Sequence, residues 1–197
     1  MLFLELLALG MPVISFAYPH NPIKSPSLRR DVQADNTVKV VGPEDYCLVM
    51  PRDPHTNIGD SEYPGGTQVF CSSIARSADE QGLLPDNFWE NVELHEDQGD
   101  NGGKYVQLTG CIRPSLIDRL NQLDKGGQYD SSGGRGGRGN PRDSVCVGYN
   151  HYVELVEPAL NRSCIRCCED FDDCVVSKGA SIHPIEIMQY SDSQRMH

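Results

Sequence analysis

Apolar residues in this chain fall in short runs, several with a period of two, cut by Pro and Gly; the pattern predicts strands. Val38-Lys39-Val40-Val41 and Tyr46-Cys47-Leu48-Val49-Met50 are rich in β-branched residues and bounded by Gly42-Pro43 and Pro51. A third short strand, Gln68-Val69-Phe70-Cys71, follows the Pro64-Gly65-Gly66 turn. The clearest alternation lies over 105–112, where Val106, Leu108 and Ile112 point one way and Gln107 and Thr109 the other. With the Gly/Asp/Asn loop 99–103 before it, this run is expected to pair with 88–95 as a hairpin. A further strand, or two joined at a bulge near Gly148, runs over 145–157 and ends at Pro158. One helix is predicted after Pro114: Leu116, Ile117, Leu120 and Leu123 recur at helical spacing, and Gly126-Gly127 supplies a stop. The fold class expected is therefore β-rich α+β: a small disulfide-stapled single domain with one short helix and long loops.

The ends read differently. Residues 1–17 form an apolar run with small residues near its close, which reads as a signal peptide. Residues 18–36 are rich in Pro and polar side chains and are expected to be a disordered segment. Within it, Arg29-Arg30 is either a dibasic processing site, placing a mature N-terminus at Asp31, or two solvated arginines. The disulfide-stabilised domain is expected over 37–176, and a loosely ordered tail is expected over 177–197. The stretch 126–141 holds seven glycines in sixteen residues and reads as a mobile surface loop.

Composition sharpens this picture. The 197 residues suffice for one domain, and only 38% are hydrophobic and 7% aromatic, so the core alone holds the chain weakly. Eight cysteines supply the staples. Four of them, Cys164, Cys167, Cys168 and Cys174, crowd into eleven residues, while Cys47, Cys71, Cys111 and Cys146 are spread upstream. That layout suggests a hub to which distant segments tie back, with Cys167 and Cys168 reaching different segments. A net charge of −11 excludes a basic nucleic-acid footprint and argues against anionic membrane surfaces.

Candidate chemistry is sparse. Cys164-x-x-Cys167 lacks the second pair a zinc site requires, so neither metal nor cofactor is expected. Glu154 and Glu157, or the cluster Glu169, Asp170, Asp172 and Asp173, are the acids a hydrolase would draw on, but no spacing marks an acid–base pair. The cluster also lacks the alternating ligands and Gly of an EF-hand loop. Trp89, Tyr129, Tyr149 and Tyr152 are candidate platforms for sugar rings, with Tyr105 and His151 beside them, as apolar faces carrying polar handles. Asn161-Arg162-Ser163 is an N-glycosylation sequon.

Several motifs together resemble a known family. They are Tyr46-Cys47-Leu48-Val49-Met50-Pro51, Tyr105-Val106-Gln107-Leu108-Thr109-Gly110, Gly126-Gly127-Gln128-Tyr129-Asp130, Cys146-x-Gly148-Tyr149, Tyr152-Val153-Glu154-Leu155-Val156-Glu157-Pro158 and Cys164-Ile165-Arg166-Cys167-Cys168. They are similar to fungal secreted cysteine-rich proteins, a family that includes a cryptococcal immunoreactive mannoprotein. The likeness covers residues 45–175 and departs after Cys174, where relatives continue with a further Gly-Cys and this chain has Ser177-Lys178-Gly179. The resemblance implies secretion, a disulfide-bonded domain and residence in the cell wall or outside the cell; it brings no catalytic residues. The function expected is that of a wall-associated or effector-like protein meeting wall polysaccharide or a host extracellular component. The alternative is a carbohydrate-active protein, either a lectin-like module or a hydrolase.

Overall fold

The computed structural model describes residues 33–134 and 136–174. The expected signal peptide 1–17, the Arg29-Arg30 pair and the 177–197 tail lie outside the described residues.

Ten strands form two five-stranded sheets. In chain order they are β1 (Thr37–Gly42), β2 (Asp45–Pro51), β3 (Thr67–Cys71), β4 (Gly82–Leu83), β5 (Trp89–Gln98), β6 (Lys104–Ile112), β7 (Gly127–Asp130), β8 (Val145–Cys146), β9 (His151–Glu157) and β10 (Arg162–Cys168). The first sheet has the order β4-β3-β2-β1-β8 and the second β5-β6-β10-β9-β7. Pairing is antiparallel except at β1–β8 and β3–β4. One apolar cluster draws on both sheets, taking Val38, Leu48 and Val69 from the first and Leu108, Val156 and Ile165 from the second. The arrangement is a two-sheet packing around a shared core.

Alternation decides the faces of the second sheet. Val106 and Leu108 on β6, Tyr152 and Val156 on β9, and Ile165 and Cys167 on β10 enter the shared core. Their neighbours in sequence face outward: Tyr105, Val153 and Cys168 build a small second cluster there with Cys174.

The expected α+β class is corrected to all-β. No α-helix occurs among the described residues; the helical pieces are five 3-10 turns of three residues each. The predicted helix after Pro114 stops at Pro114–Leu116. Its backbone groups bond elsewhere: His55 N–H donates to the Asp118 carbonyl at 2.7 Å, Thr56 N–H to Arg119 at 3.1 Å, and Asn121 N–H to Thr56 at 3.4 Å. The segment thus lies beside the 55–56 loop, its carbonyls taken by a distant segment instead of by residues four positions on. Ile117 and Leu120 are buried, but Leu123, the last member of the apparent helical stripe, is 85% exposed.

Three further expectations change. The 145–157 run divides between the sheets: β8 joins β1, and after Gly148, at φ +82°, β9 enters the second sheet. The glycine-rich 126–141 stretch is not wholly loop, since β7 pairs with β9 and buries Tyr129. The hub is largely a strand, β10, in the middle of its sheet.

Three disulfides form. Cys47–Cys71 links directly opposed residues of β2 and β3, Cys146–Cys167 ties β8 to β10 and so one sheet to the other, and Cys168–Cys174 closes a short C-terminal loop. Cys167 and Cys168 therefore reach different segments, but only Cys146 among the upstream cysteines is bridged to the hub. Cys111 and Cys164 are buried thiols.

Candidate functional site

A cleft of about 1180 Å³ opens where the N-terminal turn Ala34–Asn36, the 62–67 loop, β7 and the loop after it converge. Buried tyrosines hold two of these walls. The Tyr129 hydroxyl lies 2.7 Å from Ser61 Oγ, which also bonds the Ile58 carbonyl at 2.7 Å, fixing the start of the 62–67 loop. The Tyr152 hydroxyl lies 2.7 Å from Ser144 Oγ, which reaches the Pro141 carbonyl at 2.7 Å and fixes the end of the glycine-rich loop. That loop is also clamped at its root: the backbone N–H groups of Asp130 and Asn140 each donate to the other's carbonyl at 2.8 Å.

Asp130 is the buried acid of the cleft. Its Oδ1 accepts the Ser132 N–H at 2.8 Å and the Gly133 N–H, and its Oδ2 accepts from Gln128 Nε2 at 3.3 Å. Gly133 is required beside it, because a Cβ there would meet the carboxylate Oδ2 at 2.6 Å. Opposite, Arg52 pairs with Asp35 at 3.1 Å and donates through Nε to the Gly65 carbonyl at 2.9 Å, so that one cation closes two walls. Glu62 stands exposed on the rim. Partial burial and then the charge of Asp130 raise its pKa, against a lowering hydrogen bond from the Asn140 side chain. Tyr63 beside it leaves its side chain 53% exposed and bonds Asp53 Oδ2 through its hydroxyl at 3.2 Å. That bond raises the phenol's pKa.

The cleft is thus lined by carboxylates, amides and backbone, with Tyr63 and Pro64 as an apolar edge. Asp35 is matched by Arg52, which leaves Glu62 and Asp130 facing the single cation Arg142 in the lining. The lining therefore carries one formal negative charge in excess, three acids against two bases, which disfavours anions.

The residues singled out in the sequence fall mostly elsewhere. Tyr129 and Tyr152 are sealed in the core and offer no ring face to a ligand; they act on the cleft through the serines they hold. Trp89 packs against Tyr46 and Phe88 at ring distances of 5.8 and 5.5 Å, and Tyr149 is half-buried against the same core. His151 packs edge-on against Phe171, and Tyr105 lies under the Arg166 guanidinium on the outer face, 4.5 Å away.

Glu154 is fully enclosed between the sheets and Glu157 is held by Arg162 at 2.7 Å, so neither faces a cleft as a hydrolase would require. Of the acidic cluster, Glu169 accepts the Lys104 N–H at 2.9 Å and Asp170 caps the turn Phe171–Asp173 through the Asp172 N–H. Among the described residues no group of three or more His, Cys, Asp or Glu is placed to hold a metal ion. Asn161 is exposed at the β9–β10 turn with φ +52°.

Sequence reasoning passed over Arg52, Glu62, Tyr63 and Asn140. They come from three separate segments, and the one local sign was the Pro64-Gly65-Gly66 turn that presents Tyr63. No helix among the described residues is long and apolar enough to cross a membrane. Set against protein-family models, curated proteins and solved structures, the chain finds no match in any of the three.

Proposed function

We propose that this chain is an extracellular, disulfide-stapled β-sandwich that binds an uncharged or amine-bearing polysaccharide, of the kind found in cell walls, in the cleft. The observation that carries this reading is the polar cleft with the exposed Tyr63 at its edge. Sites for apolar ligands are lined mainly by hydrophobic side chains. A lining of carboxylates, amides and carbonyls matches a ligand rich in hydroxyls, and an exposed aromatic ring beside it matches the apolar face of a sugar ring. The net negative lining disfavours polyuronates and sulfated glycans. Three disulfides are compatible with an oxidising compartment, and the resemblance to fungal secreted proteins points to the same place.

A second reading has one observation in its favour. Partial burial and, second to it, the charge of Asp130 raise the pKa of Glu62, the electrostatic pattern of a hydrolase acid beside a carboxylate. Depletion of the protein from solution by insoluble wall polysaccharides, with reducing sugar assayed in the supernatant, tests both. Binding without sugar release supports the binding module; release lost on Glu62→Gln supports the hydrolase; no depletion and no release contradicts both.

A further inference from the structure

Three of the four sheet edges are short. The first sheet ends on β4 and β8, of two residues each, and the second ends on β7, of four. The fourth edge, β5, runs ten residues and pairs with β6 on one side only. Eight of those ten residues are exposed, so the strand stands in solvent along nearly its whole length. Long free edges are ordinarily shortened, covered or interrupted by Pro, because their open backbone pairs with other chains. β5 holds no Pro, and its one irregularity, between Trp89 and Asn91, lies at its start. Alternate residues of 93–97 turn N–H and C=O away from β6, and among the described residues no backbone group there bonds any segment but β6.

Register settles what a strand added at this edge meets. Glu93, His95 and Asp97 oppose Thr109, Gln107 and Tyr105 and share their outward face. Val92, Leu94 and Glu96 oppose Gly110, Leu108 and Val106 and share the core face. Leu94 is 38% exposed there, an apolar side chain at the rim with nothing beyond it in the sheet. The acids of β5 meet little positive charge. Glu90 reaches Arg113 only at 4.0 Å and Asp97 lies 3.7 Å from His95, while Glu93 and Glu96 form no ion pair among the described residues.

We propose that β5 is a docking edge that takes an extended basic polypeptide, with Lys or Arg alternating with apolar residues, as a sixth strand of the second sheet. The open N–H and C=O groups supply the pairing. Basic side chains on the outward face stand opposite Glu93 and Asp97, and an apolar side chain on the other face covers Leu94. A second copy of this chain fits poorly, because pairing two β5 strands brings four acids, Glu90, Glu93, Glu96 and Asp97, against the same four. The charge that keeps copies apart is the charge that selects a basic partner.

The test is hydrogen–deuterium exchange of the full chain at low salt with a short, end-capped peptide alternating Lys and Val. The expected result is slowed exchange confined to β5, with roughly tenfold weaker binding when Pro replaces each Val, which keeps the charge and removes backbone donors. Glu93→Lys together with Asp97→Lys is expected to abolish binding of the Lys-Val peptide and to admit a Glu-Val peptide instead; both positions are exposed, so the core is untouched. No protection at β5, equal binding of the Pro-containing peptide, or unchanged binding by the double variant overturns the proposal. Protection of β5 that grows with protein concentration in the absence of peptide makes a second copy the occupant and overturns it equally. β7, whose Gln128 and Asp130 line the cleft, is at the opposite edge of the sheet, so the outcome does not depend on whether the cleft binds sugar.

Discussion

The Glu154 carboxyl on β9 accepts the Val49 N–H of β2 at 2.9 Å, across the interior between the two sheets. Its other oxygen, Oε1, is buried with no hydrogen-bond partner. Burial raises the pKa well above the usual carboxylate value, only partly opposed by the Val49 bond. A carboxyl raised on folding holds its proton more tightly in the folded chain than in the unfolded one. Its contribution is therefore complete below the unfolded value and declines as pH rises from there toward the folded value. Glu154→Gln keeps an acceptor for Val49 and cannot ionise. Urea unfolding across pH 4 to 8 is expected to show stability falling with pH in the wild type and a shallower fall in the variant. Glu154→Ala leaves the Val49 N–H unsatisfied and is expected to cost about 1–3 kcal/mol before any cavity term.

The tyrosine struts yield a second prediction. Tyr129→Phe and Tyr152→Phe each remove one buried hydroxyl bond, to Ser61 and Ser144 respectively. Each is expected to lower stability by about 1 kcal/mol in urea melts. Each is also expected to weaken polysaccharide binding several-fold, although neither ring touches the cleft. Unchanged binding in both would show that the loops do not depend on these struts.

Where the sequence spoke clearly, one face of a strand met one core. The alternation of Val106, Leu108 and Ile112 placed β6 and its hairpin partner because the pleat alone sets which residues are buried. The stripe from Leu116 to Leu123 misled because its spacing fits a helix, while the partners that take its backbone carbonyls lie some sixty residues upstream. β10 was hidden by its cysteines: Ser163, Ile165 and Cys167 alternate with Arg162, Cys164 and Arg166, a strand pattern masked when every cysteine is read only as a staple. The cleft was illegible for a simpler reason. No contiguous segment contains it, so its chemistry exists only after β7 and the 62–67 loop have been brought together.

The corrected segment can be probed directly. Leu120 is buried and bridges Thr56, whereas Leu123 is in solvent. Leu120→Ala is expected to cost about 2–5 kcal/mol, and Leu123→Ala less than about 0.5 kcal/mol. Equal costs in chemical denaturation would restore the helical stripe.

The inter-sheet bridge is expected to matter to the whole fold. Replacing Cys146 and Cys167 together by serine removes the disulfide between β8 and β10. The expected loss is about 2–4 kcal/mol, measured by urea unfolding under oxidising conditions. A loss below about 1 kcal/mol, at the low end of the range for disulfides, would mean that core packing alone holds the sheets together.

The most direct measurement is calorimetric titration of the full chain with soluble wall oligosaccharides, uncharged, amine-bearing and acidic, for the wild type and for Tyr63→Ala. Tyr63 is exposed and its loss does not open the core. The account predicts binding of the uncharged or amine-bearing oligosaccharides, little or none of the acidic ones, and at least a tenfold loss on removal of the ring, on the order of 1.4 kcal/mol. Binding of acidic oligosaccharides alone, or undiminished binding by Tyr63→Ala, would contradict it.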